Sequence, residues 1–167
     1  MITTLACITV LAAPTVGARA STPVLDRIRE LQHRAHVCEH ELGLKPTPTG
    51  RRPVGHAYRR WVLQLWQQRA RIVCGLVDAA NRDPRVAVMV AFGPARYPQA
   101  IRVATCESRL DPHARNGQYH GIWQMGEWER SRYGHGDTPL EQGLAARRYF
   151  DQAGWRPWEC ARLTGVI

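Results

Sequence analysis

Glu107 closes a short helical run just before a turn, and that placement governs what its carboxyl can do. Tyr97-Pro98 opens the run, Ile101, Val103 and Ala104 are its apolar members, and Cys106 and Glu107 fall at its far end ahead of Asp111-Pro112. A helix carries about half a unit of negative partial charge at its carbonyl end, and an apolar wall adds a desolvation penalty, so both favour the protonated acid. A carboxyl held neutral near neutral pH can donate a proton. Cleaving a glycosidic bond requires such a general acid on the leaving oxygen.

A glycosidase normally adds a second carboxyl as nucleophile or base. Asp111, Glu127, Glu129, Asp137 and Glu141 are the nearby candidates. Asp111 before Pro112 reads as a turn residue, Glu141 as a helix cap, and Glu127 and Glu129 as exposed on a short helix. Gly117 and Gly121 would let backbone approach a sugar closely, and Gln124 offers both a donor and an acceptor. Tyr119, Trp123, Trp128, Trp155 and Trp158 either stack on sugar faces or pack into a small core. Trp123, beside Gln124, has the strongest claim to stacking. Ser108 either bonds Glu107 or caps the turn.

The order Cys106-Glu107-Ser108, a turn, Asn116-Gly117, then Gly121-Ile122-Trp123-Gln124-Met125 resembles the catalytic core of lysozyme-like lytic transglycosylases, including the resuscitation-promoting-factor type. The resemblance runs from about Phe92 to Cys160, under half of the chain, and includes Gly154-Trp155-Arg156-Pro157-Trp158-Glu159-Cys160. It implies a lysozyme-like helical domain in which Glu107 acts alone. Glu107 would protonate the oxygen between N-acetylmuramic acid and N-acetylglucosamine, then take the muramyl 6-hydroxyl proton as a 1,6-anhydro ring closes. Gln124, Trp123, Tyr119, Gly121, Asn116 and Ser108 become the expected substrate-binding residues. The resemblance also implies a Cys106–Cys160 disulfide, which leaves Cys38 with Cys74. If water attacks instead, the same site is a muramidase. A reading from another class is a wall protein that binds glycan without turning it over.

The rest of the chain must position this stretch. Val24, Leu25, Ile28, Leu31, Ala35, Cys38 and Leu42 recur at three- and four-residue steps, so residues 24–43 are expected as an amphipathic helix ended by Gly43. Residues 44–56 are a Pro- and Gly-rich linker. A second helix is expected from about Ala57 to Ala80. Its rows Trp61, Leu65, Ile72, Leu76 and Val62, Trp66, Val73, Val77 make a stripe wide enough for two neighbours. A tight hairpin would not set Cys38 opposite Cys74, but an extended linker absorbs the offset. Asp83-Pro84 caps an apolar segment, Val86 to Phe92, that periodicity does not assign between helix and strand; the resemblance favours helix. Gly93-Pro94 breaks it. Thr138-Pro139-Leu140-Glu141 is a capping box, and Gly154 closes that helix. The expected fold is mainly α, with at most one small β-hairpin around Tyr119 to Gln124. Its organisation is a helical appendage over residues 21–82 and a catalytic domain over 83–167.

Residues 1–20 are apolar and end in Ala18-Arg19-Ala20, the small-x-small pattern of a secretory signal, although no Lys or Arg precedes the apolar run. Removing them takes one arginine from the 23 basic residues and none of the 14 acidic ones, which leaves a net charge of +8. Lys45 is the only lysine. Residues 21–100 hold 13 basic and 6 acidic side chains against 9 and 8 for 101–167, so the excess belongs to the helical pair. Arginine forks suit carboxylates and phosphates, which makes anionic wall polymers a second expected partner beside peptidoglycan glycan strands. No nucleic acid is expected, and the chain is expected as a monomer. Four cysteines remain after cleavage, an even count that suits two disulfides in a secreted, wall-associated protein. His33, His36 and His40 crowd Cys38 on the first helix without an obvious carboxylate or further nitrogen. They read as a solvated face, and neither metal nor cofactor is expected.

Overall fold

The computed structural model describes residues 23–51 and 53–167; the expected signal peptide lies outside them. Within this span the protein is mainly helical with one small antiparallel hairpin. The first helix, α1 (Pro23–Glu41), buries Leu25, Ile28, Leu31, Ala35 and Cys38, the row set by its three- and four-residue spacing. Gly43 ends it with φ 69°: its N–H bonds the His40 carbonyl and the Leu44 N–H bonds that of Glu39, so two terminal acceptors are satisfied.

The second helix, α2 (His56–Arg82), runs back along α1 and is bridged to it by Cys38–Cys74, with a Cα separation of 5.1 Å. The linker absorbs the offset and is pinned at Thr47. Its N–H donates to Glu39 Oε2 at 2.8 Å and its hydroxyl donates to Oε1. Arg69 of α2 reaches the same carboxylate at 2.6 Å. Glu39 is fully buried; burial pushes its pKa up, but the Thr47 bonds and then the Arg69 guanidinium outweigh this and hold it below the usual carboxylate value.

Two expectations for this pair need correction. His36 is not on a solvated face: Nε2 lies 2.9 Å from the Thr47 carbonyl oxygen and the ring packs edge-on to Trp66. No group of metal-ligating side chains occurs among the described residues. The apolar stripe of α2 finds partners on one side only. Val62, Trp66, Val73 and Val77 are buried, whereas Trp61, Leu65, Ile72 and Leu76 face solvent, because α1, α3 and α5 all pack on the first row.

Helix α3 (Pro84–Ser108) starts at the Asp83 cap, whose side chain accepts from the Arg85 N–H, and Val86 to Phe92 is helical. Gly93, at φ 70° and ψ 167°, kinks it, and the segment bearing Glu107 resumes at Pro94 rather than at Tyr97-Pro98. Proline is tolerated there because first-turn N–H groups have few helical acceptors to lose. The strands β1 (Arg115–Asn116) and β2 (Tyr119–His120) pair with Asn116 opposite Tyr119. The hairpin therefore begins ahead of the expected Tyr119–Gln124 span and overlaps it in β2, because the turn falls at Gly117-Gln118, where Gly117 takes φ 58°. After α4 (Glu127–Tyr133), helix α5 (Pro139–Ala153) begins at the capping box of Thr138 and Glu141 and ends at Gly154. A short α6 (Glu159–Leu163) follows. Phe92, Trp123, Trp155 and Trp158 form the aromatic centre of the core beneath the hairpin, and the two-helix core of α1 and α2 is completed by Ala87 and Leu140.

Candidate active site

Glu107 is the penultimate residue of α3, and the chain leaves the helix through two left-handed residues, Arg109 at φ 58° and Leu110 at φ 68°. The carboxyl is half-buried. Burial raises its pKa above the usual carboxylate value and the negative charge of Glu159 adds to this, opposed by the Cys160 N–H, which donates to Oε1 at 3.3 Å. Cys160 is itself tied to Cys106, the residue before the acid, by the second disulfide. One covalent bridge therefore ties the backbone beside the acid to the backbone that carries the amide touching it.

Glu107 borders a cavity of about 310 Å³ lined also by Asn116, Tyr119, Gln124, Glu129, Tyr149 and Glu159, with Met125, Gly126, Pro157 and Trp158 completing it. Gln124 sits at φ 44° and donates Nε2 to the Gly121 carbonyl at 2.9 Å, leaving Oε1 to accept from a ligand. Tyr119 and Asn116, opposite one another in the hairpin, supply an exposed ring and an amide at the rim.

Several expected site residues do other work. Trp123 is fully buried against Phe92, Trp155 and Trp158, so it is a core residue and not a sugar platform. Trp158 lines the cavity but is buried, and it donates Nε1 to the Trp123 carbonyl at 3.0 Å. Trp128 is exposed beneath Arg132 and lies off the cavity lining. Ser108 does not bond Glu107; its hydroxyl donates to the Ile122 carbonyl at 2.9 Å, joining the end of α3 to the loop that holds Gln124. Gly121 faces protein rather than ligand: a Cβ there would stand 2.4 Å from Gln142 Oε1 and 2.8 Å from His135 Cε1.

Gln142, which is not among the expected site residues, is the hub of this loop. It is almost fully buried in α5, accepts the Ile122 N–H at 2.9 Å and donates Nε2 to the Pro112 carbonyl at 3.0 Å. Glu129 is half-buried at the cavity, which Tyr149 also lines, instead of exposed on a short helix. Burial, then the Glu129 charge, raises the Tyr149 pKa above the usual phenol value. Asp111 takes the turn role expected of it, accepting the His113 N–H at 2.8 Å. Glu141 is held in its capping box.

The arrangement supplies a partly desolvated carboxyl, an amide acceptor and two further carboxylates around a cleft open to solvent. That chemistry suits proton transfer to a polar, hydroxyl-rich ligand. No protein-family model, curated protein or solved structure matches this chain.

Proposed function

We propose that the protein is a secreted peptidoglycan-cleaving enzyme that cuts the bond between N-acetylmuramic acid and N-acetylglucosamine as a lytic transglycosylase. The observation that carries this reading is Glu107 itself, a carboxyl whose pKa is raised by burial and by Glu159 at the edge of a cleft shared with Gln124, Asn116 and Tyr119. Glu107 enters the reaction protonated and gives its proton to the glycosidic oxygen while the muramyl acetamido group stabilises the developing cation. The resulting carboxylate removes the 6-hydroxyl proton as that oxygen closes on the anomeric carbon, which returns Glu107 to its starting state. The Cys160 N–H steadies the carboxylate between the two transfers.

Two disulfides among the described residues suit an oxidising compartment outside the cytosol. No described helix is long and apolar enough to cross a membrane.

Glu129 favours one alternative outcome. As a second carboxylate on the same cleft it is available to activate water, which would make the enzyme a hydrolytic muramidase. Weighing the products separates the two, since the anhydro product is lighter by one water. A Glu129→Gln variant that keeps making anhydro product supports the single-acid scheme, and loss of a reducing-end product in that variant supports hydrolysis. A glycan-binding protein without turnover would release no product in either form.

A further inference from the structure

The exposed row of α2 has chemistry that the cleft does not use. Tyr58, Trp61, Leu65, Ile72 and Leu76 follow one another at three-, four- and seven-residue steps, so they share one stripe of the helix. Each is between 38% and 55% exposed. The rings of Tyr58 and Trp61 stack at 5.6 Å at the amino end of the stripe. Arg60, Arg71 and Arg82 recur every eleven residues and therefore form a straight row along one flank, all three exposed. No acceptor holds Arg60 or Arg71 among the described residues, and Asp78 is the only acidic residue of α2 against five arginines.

We propose that this face of α2 is a docking surface for an anionic lipid bilayer, with the apolar stripe lying in the interface and the arginine row on the phosphate headgroups. An aromatic and aliphatic stripe beside a cationic row is the composition of helices that lie in a membrane surface. The stripe is a convex ridge on a single helix, a shape that embeds in a fluid layer. Pairing with a second copy is opposed by charge, because two such faces would bring two arginine rows together with only Asp78 to offset them. The cleft plays no part in this argument, so the proposal does not depend on the enzyme reading.

The test uses the oxidised chain without residues 1–20 and vesicles of phosphatidylcholine with or without phosphatidylglycerol, read by flotation. Binding is expected on the anionic vesicles and at least tenfold weaker on the neutral ones. The Arg60→Gln/Arg71→Gln variant should weaken anionic binding by about fivefold per arginine. Leu65→Ser/Ile72→Ser should weaken it by about tenfold; both side chains are exposed, so unchanged thermal unfolding is the check that the fold survives. No binding, or equal binding to both vesicles, would overturn the proposal. So would anionic binding that ignores the stripe variant, since soluble polyphosphate would then compete fully and the face would be a polyanion site. Light scattering supplies the remaining outcome: a dimer abolished by Leu65→Ser/Ile72→Ser, without vesicle binding, assigns the face to a second copy.

Discussion

Replacing Gln142 with leucine tests whether the loop carrying Gln124 is held from beneath. The substitution keeps most of the side-chain volume, so the cost comes chiefly from two polar groups that lose their partners, the Ile122 N–H at 2.9 Å and the Pro112 carbonyl at 3.0 Å, with a longer contact to the Gly136 carbonyl at 3.4 Å lost beside them. A buried group left unpaired costs about 1–3 kcal/mol. Ile122 is fully buried whereas Pro112 is half-exposed, so water can replace the partner of the second group but not of the first, and a total of about 3 kcal/mol is expected. For a chain of this size that lowers Tm by about 10 °C. Circular dichroism melts of the oxidised protein measure it, with exposed Gln64→Leu on α2 expected to stay within about 0.5 kcal/mol of wild type. Peptidoglycan cleavage at a temperature where the variant is still folded should fall as well, because Ile122 and Gln124 share the unanchored loop. A Gln142→Leu protein that melts with wild type would refute the reasoning and show that the loop needs no anchor in α5.

Further predictions follow from the same geometry. Gly121→Ala should be destabilised by more than 1 kcal/mol, since it combines a left-handed φ of 75° with overlap on Gln142 and His135; normal stability in a denaturant titration would mean both side chains move aside freely. Glu39→Gln should cost about 2–3 kcal/mol by leaving Arg69 without its carboxylate. Because the Glu39 pKa is lowered by folding, its contribution is complete above the ordinary carboxylate range and is lost as pH falls through the depressed value, so the variant should show a shallower acid limb of stability against pH. Glu107 has the opposite sign. Its pKa is raised, so ionisation costs stability as pH rises; Glu107→Gln should match wild type in acid and exceed it at neutral pH, and equal stability at both ends would remove the desolvation argument.

The parts of the fold with local signals were readable in the chain. Thr138-Pro139-Leu140-Glu141 specifies a capping box by itself, and Gly43 and Gly154 end their helices where glycine was expected. The mainly helical class with one hairpin and the Cys38–Cys74 and Cys106–Cys160 bridges also correspond to expectation. What was not readable depends on contacts distant in sequence. Trp123 next to Gln124 suggested a sugar platform, but the side chains alternate across the turn and only Gln124 reaches the cleft. Gln142 and Glu39 did carry a signal: each polar side chain falls on the apolar face of its helix, Gln142 three residues after Pro139 and Glu39 four after Ala35. A polar residue at a core position needs a partner, and here the partners are backbone groups of loops that no helical periodicity describes. Glu129 was misread for a related reason, since a seven-residue helix gives too little periodicity to say which side meets Tyr149.

The most direct test of the central claim is the mass of the muropeptides released from purified peptidoglycan by the oxidised protein and by its Glu107→Gln variant. The account predicts 1,6-anhydromuramyl products from the unsubstituted protein and a fall of about 100-fold or more in the variant. Cleavage that survives Glu107→Gln, or no soluble product from the unsubstituted protein, would contradict it.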